Sequence, residues 1–324
     1  MKKLIIFVFL LLLLPCFLIS CGTSKISDKQ EIVVTIYPEY NWITELINGV
    51  ESEYNITWLN KNGIDYHSYS PSVSDITKII SSDLFIYIGG ESDAWVENVL
   101  KTNKNTPKTV LKLLDVIENK IDEQKEDYMS GETEEEIVTD EHIWLSIKNA
   151  ISCVKKIGDE LIKTTDNNKE QIKSNLDNYV NKLTMLDNQY EKAINLATKS
   201  CIVFGDRFPF IYLFNDYNID YYAAFVGCST ETTASVKTIT TLVDSCIENN
   251  IENIAVIETY EITKTNVADT VITECKNKGY NLTGKITLDS MQTKSIKDLD
   301  KFTYIGIMEE NLKNLKVLLG TNNG

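Results

Sequence analysis

Histidine is almost missing from this chain: 324 residues contain two, His67 and His142. No histidine-rich metal-gathering tract can therefore exist, and the placement of each imidazole becomes informative, because imidazole is the commonest metal ligand and titrates near neutrality. Cysteine is present seven times but never as CxxC, which excludes a cysteine-rich zinc site. No His-Glu-x-x-His occurs, so the helix of the common zinc hydrolases is lacking. Positive charge is in deficit, 32 Lys and Arg against 47 Asp and Glu, a net charge of −15, and nucleic acid is not an expected partner. No internal repeat is visible. With 43% apolar and 24% charged residues the composition is that of a globular protein, long enough for about two domains.

The one long apolar run is N-terminal. Met1-Lys2-Lys3 is a basic start, and Leu4 to Ile19 is too short and wrongly flanked for a lasting membrane span, so residues 1–20 are predicted to be a signal peptide. Leu18-Ile19-Ser20-Cys21-Gly22 resembles the bacterial lipobox, which implies cleavage before Cys21 and lipid on it. Buried methylenes are worth ~0.8 kcal/mol each, so the acylated protein would stay on the outer face of the cell membrane. Residues 21–30 are a polar tether. The leader takes two lysines and no acid with it, so the mature chain is more acidic still. Of the remaining cysteines, Cys153, Cys201, Cys228, Cys246 and Cys275, most are expected to be buried free thiols, with Cys201, Cys228 and Cys246 the ones to test for a bridge.

From Glu31 onward strands alternate with helices. Ile32–Tyr37, Tyr54–Leu59 and Leu84–Ile88 have strand composition, and Trp42–Ile47, Ser74–Ser81 and Trp95–Leu100 have helical spacing. Residues 118–141, with Glu132-Thr133-Glu134-Glu135-Glu136, break the rhythm and are predicted to be a mobile acidic loop, a solvated charge run before a cation collector. Trp144–Ile162 is helical. Lys169–Lys199 is a longer helical pattern without proline or glycine, about 45 Å at ~1.5 Å per residue and suited to bridging two lobes. Strands then recur at Cys201–Phe204, Tyr221–Phe225, Ile254–Ile257 and Ile286–Leu288, with helices at Ser235–Glu248, Asn266–Asn277 and Phe302–Leu319. The expected fold is two α/β lobes with parallel sheets, residues 31–165 and 200–324, joined by one long helix at 166–199, with a cleft between.

Both histidines fall in loops where such lobes bind ligands. Two neutral imidazoles suit a borderline divalent ion, zinc first, completed by a carboxylate or water, and acidic loop ends stand at Asp206, Glu231 and Asp289. The motifs are specific. Gly63-Ile64-Asp65-Tyr66-His67-Ser68-Tyr69-Ser70-Pro71-Ser72 and Asp140-Glu141-His142-Ile143-Trp144-Leu145 resemble the two histidine motifs of the substrate-binding lipoproteins of zinc and manganese ABC transporters. Similarity extends through Ala94-Trp95, the long helix and Tyr304–Leu319 with Met308 and Asn311, nearly all of the mature chain.

The resemblance implies two lobes on a rigid helix with a metal held between them, two ligands from each. It implies His67 and His142 from the first lobe and Asp289 as the fourth ligand. Matching Phe208 and Phe210 to the family pattern puts Gly205 at the third ligand position, where glycine has no donor, so Asp206 or Glu231 would have to substitute; Arg207 could instead take Asp206 as its ion-pair partner. A set with more carboxylate is harder and tolerates Mn2+, though at equal ligands Zn2+ binds more tightly. The implied function is a monomeric, lipid-anchored receptor that binds Zn2+, alternatively Mn2+, and passes it to an ABC transporter permease, without being an enzyme. The alternatives are a surface adhesin or structural lipoprotein without a transport role, and a metal-dependent hydrolase.

Overall fold

The computed structural model describes residues 29–102, 106–122, 139–165, 167–227, 233–258 and 267–321. The leader, Cys21, the Glu132–Glu136 run, Cys228 and Glu231 lie outside them. The first lobe is a four-stranded parallel sheet, β1 (Gln30–Val34), β2 (Tyr54–Trp58), β3 (Leu84–Tyr87) and β4 (Thr109–Lys112), in the order β2-β1-β3-β4. Its helices are α1 (Tyr37–Leu46), α2 (Val73–Ser81), α3 (Ala94–Thr102) and α4 (Ile147–Thr164). The second lobe repeats the arrangement with β5 (Cys201–Phe208), β6 (Asp220–Val226), β7 (Asn253–Ile257) and β8 (Gly284–Leu288) in the order β6-β5-β7-β8, again all parallel. It carries α6 (Ile211–Tyr217), α7 (Val236–Glu248), α8 (Val267–Asn277) and α9 (Tyr304–Leu318). Between the lobes runs α5 (Lys169–Asn195), whose 27 residues span about 40 Å.

Strand alternation sorts the core into layers. Ile32 and Val34 face a central core while Val33 packs behind it with Ile79, Val96 and Val99 of α2 and α3. Likewise Ile202 and Phe204 of β5 face the same central core, and Cys201 and Val203 pack behind with α7 and α8. The central core is continuous from one lobe to the other, filled by α1, α4, α5, α6 and α9.

Differences from the sequence expectation are local. The first strand ends at Val34 rather than Tyr37, because Tyr37 opens α1, with Pro38 in its first turn, where a missing N–H costs nothing. Helix α5 stops at Asn195 rather than Lys199, because the carbonyl of Leu319 captures the backbone N–H groups of Thr198 and Lys199 and turns the chain into β5. β4 and α6, which no periodicity marked, are four and seven residues long. Cys153, Cys201, Cys246 and Cys275 are buried free thiols, so Cys201 and Cys246 form no bridge. Asp122 and Thr139 pair across the acidic segment, and its last two residues, Asp140 and Glu141, are buried.

Candidate metal centre

In both sheets the strand order reverses between the two central strands, and the loops at the C-terminal strand ends carry the residues in question. His67 enters from the loop after β2. Asp65 caps the short 3-10 turn Tyr66–Ser68, its Oδ1 accepting the His67 N–H at 3.1 Å. Tyr66 is buried beneath, its edge against Trp144 and its hydroxyl donating to Asp93 at 2.8 Å. His142 is buried at the start of the turn Ile143–Leu145 that leads into α4.

Each imidazole is held by a buried carboxylate at Nδ1. His142 Nδ1 lies 3.0 Å from Asp140 Oδ1, and the same oxygen accepts the His142 backbone N–H at 2.8 Å. His67 Nδ1 lies 3.0 Å from Glu141 Oε1 and 2.8 Å from Ser92 Oγ. Ser92 binds Glu141 through both its hydroxyl and its backbone N–H. Gly90, at φ +92°, allows this close approach, for a Cβ there would lie 2.6 Å from Glu141 Oε2. Burial pushes the Glu141 carboxyl up, but its contacts with His67, His142 and Ser92 outweigh that and hold it below the usual range. A carboxylate at each Nδ1 fixes the orientation of its ring and leaves Nε2 as the outward-facing nitrogen.

The two Nε2 atoms face each other at 3.2 Å. Donors about 2.0–2.1 Å from a tetrahedral zinc stand about 3.3 Å apart, so the spacing suits that ion.

The second lobe closes over this pair. Arg207, the chain's only arginine, reaches from the end of β5 to Asp65 Oδ2 at 2.9 Å, with both side chains about nine-tenths buried. Trp144 Nε1 donates to the Ser290 carbonyl at 2.9 Å, Ile296 N donates to the Lys61 carbonyl at 2.8 Å, and Gln292 Nε2 lies 3.0 Å from His67 Nε2. Between Ser290 and Gln292 sits Met291 at φ +61°, a left-handed conformation that costs a non-glycine residue ~1–2 kcal/mol. Asp289 Oδ1 accepts its N–H at 2.9 Å, and Glu258 accepts both the N–H and hydroxyl of Ser290, at 2.5 and 3.1 Å. Burial first, and then the neighbouring Asp289, raise the Glu258 carboxyl well above the usual range.

Of the residues expected to hold metal, four lie among the described residues, and of these His67 and His142 are in contact. Asp289 belongs to the loop that reaches them, but its Oδ2 is paired with Lys294 and it lines a cavity of about 640 Å³ bounded by Leu299–Thr303 and α9. Asp206 is buried, with Oδ1 accepting the Arg207 N–H at 2.9 Å. Arg207 takes Asp65 as its partner, where the sequence offered Asp206. Glu231 lies outside the described residues. Among those residues no three His, Cys, Asp or Glu side chains are gathered closely enough to hold an ion.

Gly205 does not face the histidines. A Cβ there would lie 2.5 Å from Ala268 Cβ and 2.6 Å from its Cα, inside the packing of β5 against α8. Sequence reasoning missed Asp140, Glu141, Ser92 and Gln292. The adjacency of two acids to His142 was a usable signal for the first pair; Ser92 and Gln292 left none.

The family described as "Zinc-uptake complex component A periplasmic" (ZnuA) matches residues 32–317. The zinc-binding lipoprotein AdcA of Streptococcus pneumoniae is 30% identical over 303 residues, 93% of this chain and 58% of that protein, so the chain spans little more than half of that relative. The high-affinity zinc uptake system protein ZnuA of Bacillus subtilis is 28% identical over 320 residues, covering 95% of this chain and 96% of the relative. Among solved structures, the Zn(II)-bound ZnuA-like domain of pneumococcal AdcA superposes with a TM-score of 0.67 at 26% identity, covering 90% of this chain and 99% of that one.

Proposed function

Because the chain belongs to the ZnuA family, we propose that it is an extracytoplasmic receptor that binds Zn2+ between its lobes and delivers it to the permease of an ABC transporter. The observation that carries this reading is the pair of Nε2 atoms 3.2 Å apart, each ring braced from behind by a carboxylate. His67 and His142 supply the nitrogen ligands. Asp289 supplies a carboxylate once it leaves Lys294, and Asp206 and Glu231 are the reserve acids of the second lobe. Zn2+ takes precedence over Mn2+ because imidazole nitrogen favours it and because the named relatives are zinc proteins.

We read the chain as a monomeric receptor and not an enzyme, since Asp140 and Glu141 are occupied with imidazole Nδ1 atoms and neither is placed to activate water. Lipid on Cys21 would keep it at the membrane beside its permease.

Competition of the purified protein against a zinc chelator tests the reading. Expected is one tight zinc site, weaker manganese binding, and loss of zinc binding in His67→Ala and His142→Ala. Unchanged zinc affinity in either variant would sink it.

A further inference from the structure

We infer that Gln292 is a donor the second lobe gives to the metal, through its side-chain carbonyl oxygen. This rests on the zinc-receptor reading and names a ligand for the place that Gly205 leaves open. Gln292 is buried, and its amide Nε2 lies 3.0 Å from His67 Nε2. The turn that presents it is held from three sides. Asp289 accepts the Met291 N–H, Glu258 grips Ser290, and Trp144, two residues beyond His142, holds the Ser290 carbonyl. Met291 is kept at φ +61° in the middle of that turn, a distortion that aims the following side chain at the histidines.

An amide has a donor and an acceptor end of nearly equal size. Without cation the NH2 group faces His67 Nε2, while Oε1 shares the one Ser290 hydroxyl hydrogen with Glu258 Oε1, at 3.2 and 3.1 Å. A cation at the two Nε2 atoms repels the NH2 group and attracts Oε1. A half-turn about the last side-chain torsion exchanges them. Ser290 Oγ then accepts from the NH2 group and gives its own hydrogen to Glu258 Oε1, 3.1 Å away, so the exchange leaves no buried polar group unpaired. A neutral carbonyl oxygen is an accepted ligand for divalent ions, and it would make the donor set two imidazoles, one amide oxygen and, with Asp289, one carboxylate.

The test uses the purified protein with Gln292→Ala and Gln292→Glu, reading zinc affinity by chelator competition and the visible d–d spectrum of the Co2+ form. Gln292→Ala should weaken zinc by about 100-fold, the upper end of what loss of a partner beside a ligand costs, and should change the cobalt spectrum. Gln292→Glu, which keeps the oxygen and adds charge, should bind zinc at least as tightly as the parent, with a shifted cobalt band. Parent-like affinity and spectrum in Gln292→Ala would overturn the assignment, leaving Gln292 a hydrogen-bond partner of His67. Should Gln292→Ala fail to fold, an unshifted cobalt band in Gln292→Glu overturns it equally. Zinc binding that fails in the parent, or survives His67→Ala, defeats the receptor reading itself; intact His67 dependence with indifference to Gln292 defeats only this inference.

Discussion

Asp140 and Glu141 are neighbours in sequence, yet they serve histidines from different loops. Each orients a ring, so each should matter to metal affinity without touching metal. Asp140→Asn and Glu141→Gln are expected to lower zinc affinity by about 10–100-fold each, read by chelator competition. A third acid, Asp93, is buried against Tyr66 and the Gly89 N–H, and burial raises its carboxyl to about 7. In the unfolded chain it would titrate near ~3.9. The folded state therefore binds this proton more tightly, and the stability it confers is complete below about pH 4 and is lost as pH rises towards 7. Urea midpoints of the metal-free protein at pH 6 and pH 8 should differ more in the parent than in Asp93→Asn, with the parent weaker at pH 8. A parent and variant with the same pH slope would remove Asp93 from the account.

Among elements, β5 is the one whose details the sequence concealed. Its motif likeness pointed at residue 205 as a ligand, but alternation along the strand turns Phe204 towards the central core and residue 205 towards α8. Gly205→Ala should cost about 1–3 kcal/mol of stability by overpacking against Ala268, measured by urea unfolding, while zinc affinity stays that of the parent. An affinity change larger than the stability change would restore position 205 to the site. The other end of β5 contributes Arg207, whose guanidinium fastens the second lobe to the carboxylate that caps the His67 turn. Arg207→Met should remove on the order of 1–3 kcal/mol and speed zinc release in stopped-flow chelation. Most elements were legible in advance because their apolar spacing is set by one buried face; β4 and α6 escaped because four and seven residues are too few to establish a period.

At the scale of the molecule, the two lobes and their bridge could be read from the alternation of strands and the uninterrupted helix, and the histidine pair from two local motifs. What joins the lobes could not. Gln292 to His67, Arg207 to Asp65 and Trp144 to Ser290 are contacts between residues far apart in sequence, and no local pattern encodes them. The central core likewise crosses from lobe to lobe without a break. Heat unfolding should therefore be one transition in calorimetry, with calorimetric and van't Hoff enthalpies equal, and zinc at about 1,000 times its Kd should add about 4 kcal/mol to the whole molecule. Two resolved peaks would show that the lobes melt separately.

The separation of the partners along the chain also sets when the site comes into being. His67 and His142 are 75 residues apart, and His67 and Gln292 are 225. Closing loops of that length is slow and comes late, so the crevice exists only after nearly the whole chain has collapsed around its shared core. A chain made only as far as its first lobe presents the two imidazoles and their braces but neither Asp289 nor Gln292. Loading is thus a property of the finished molecule, and a zinc-starved cell would still complete the protein before it had anything to carry.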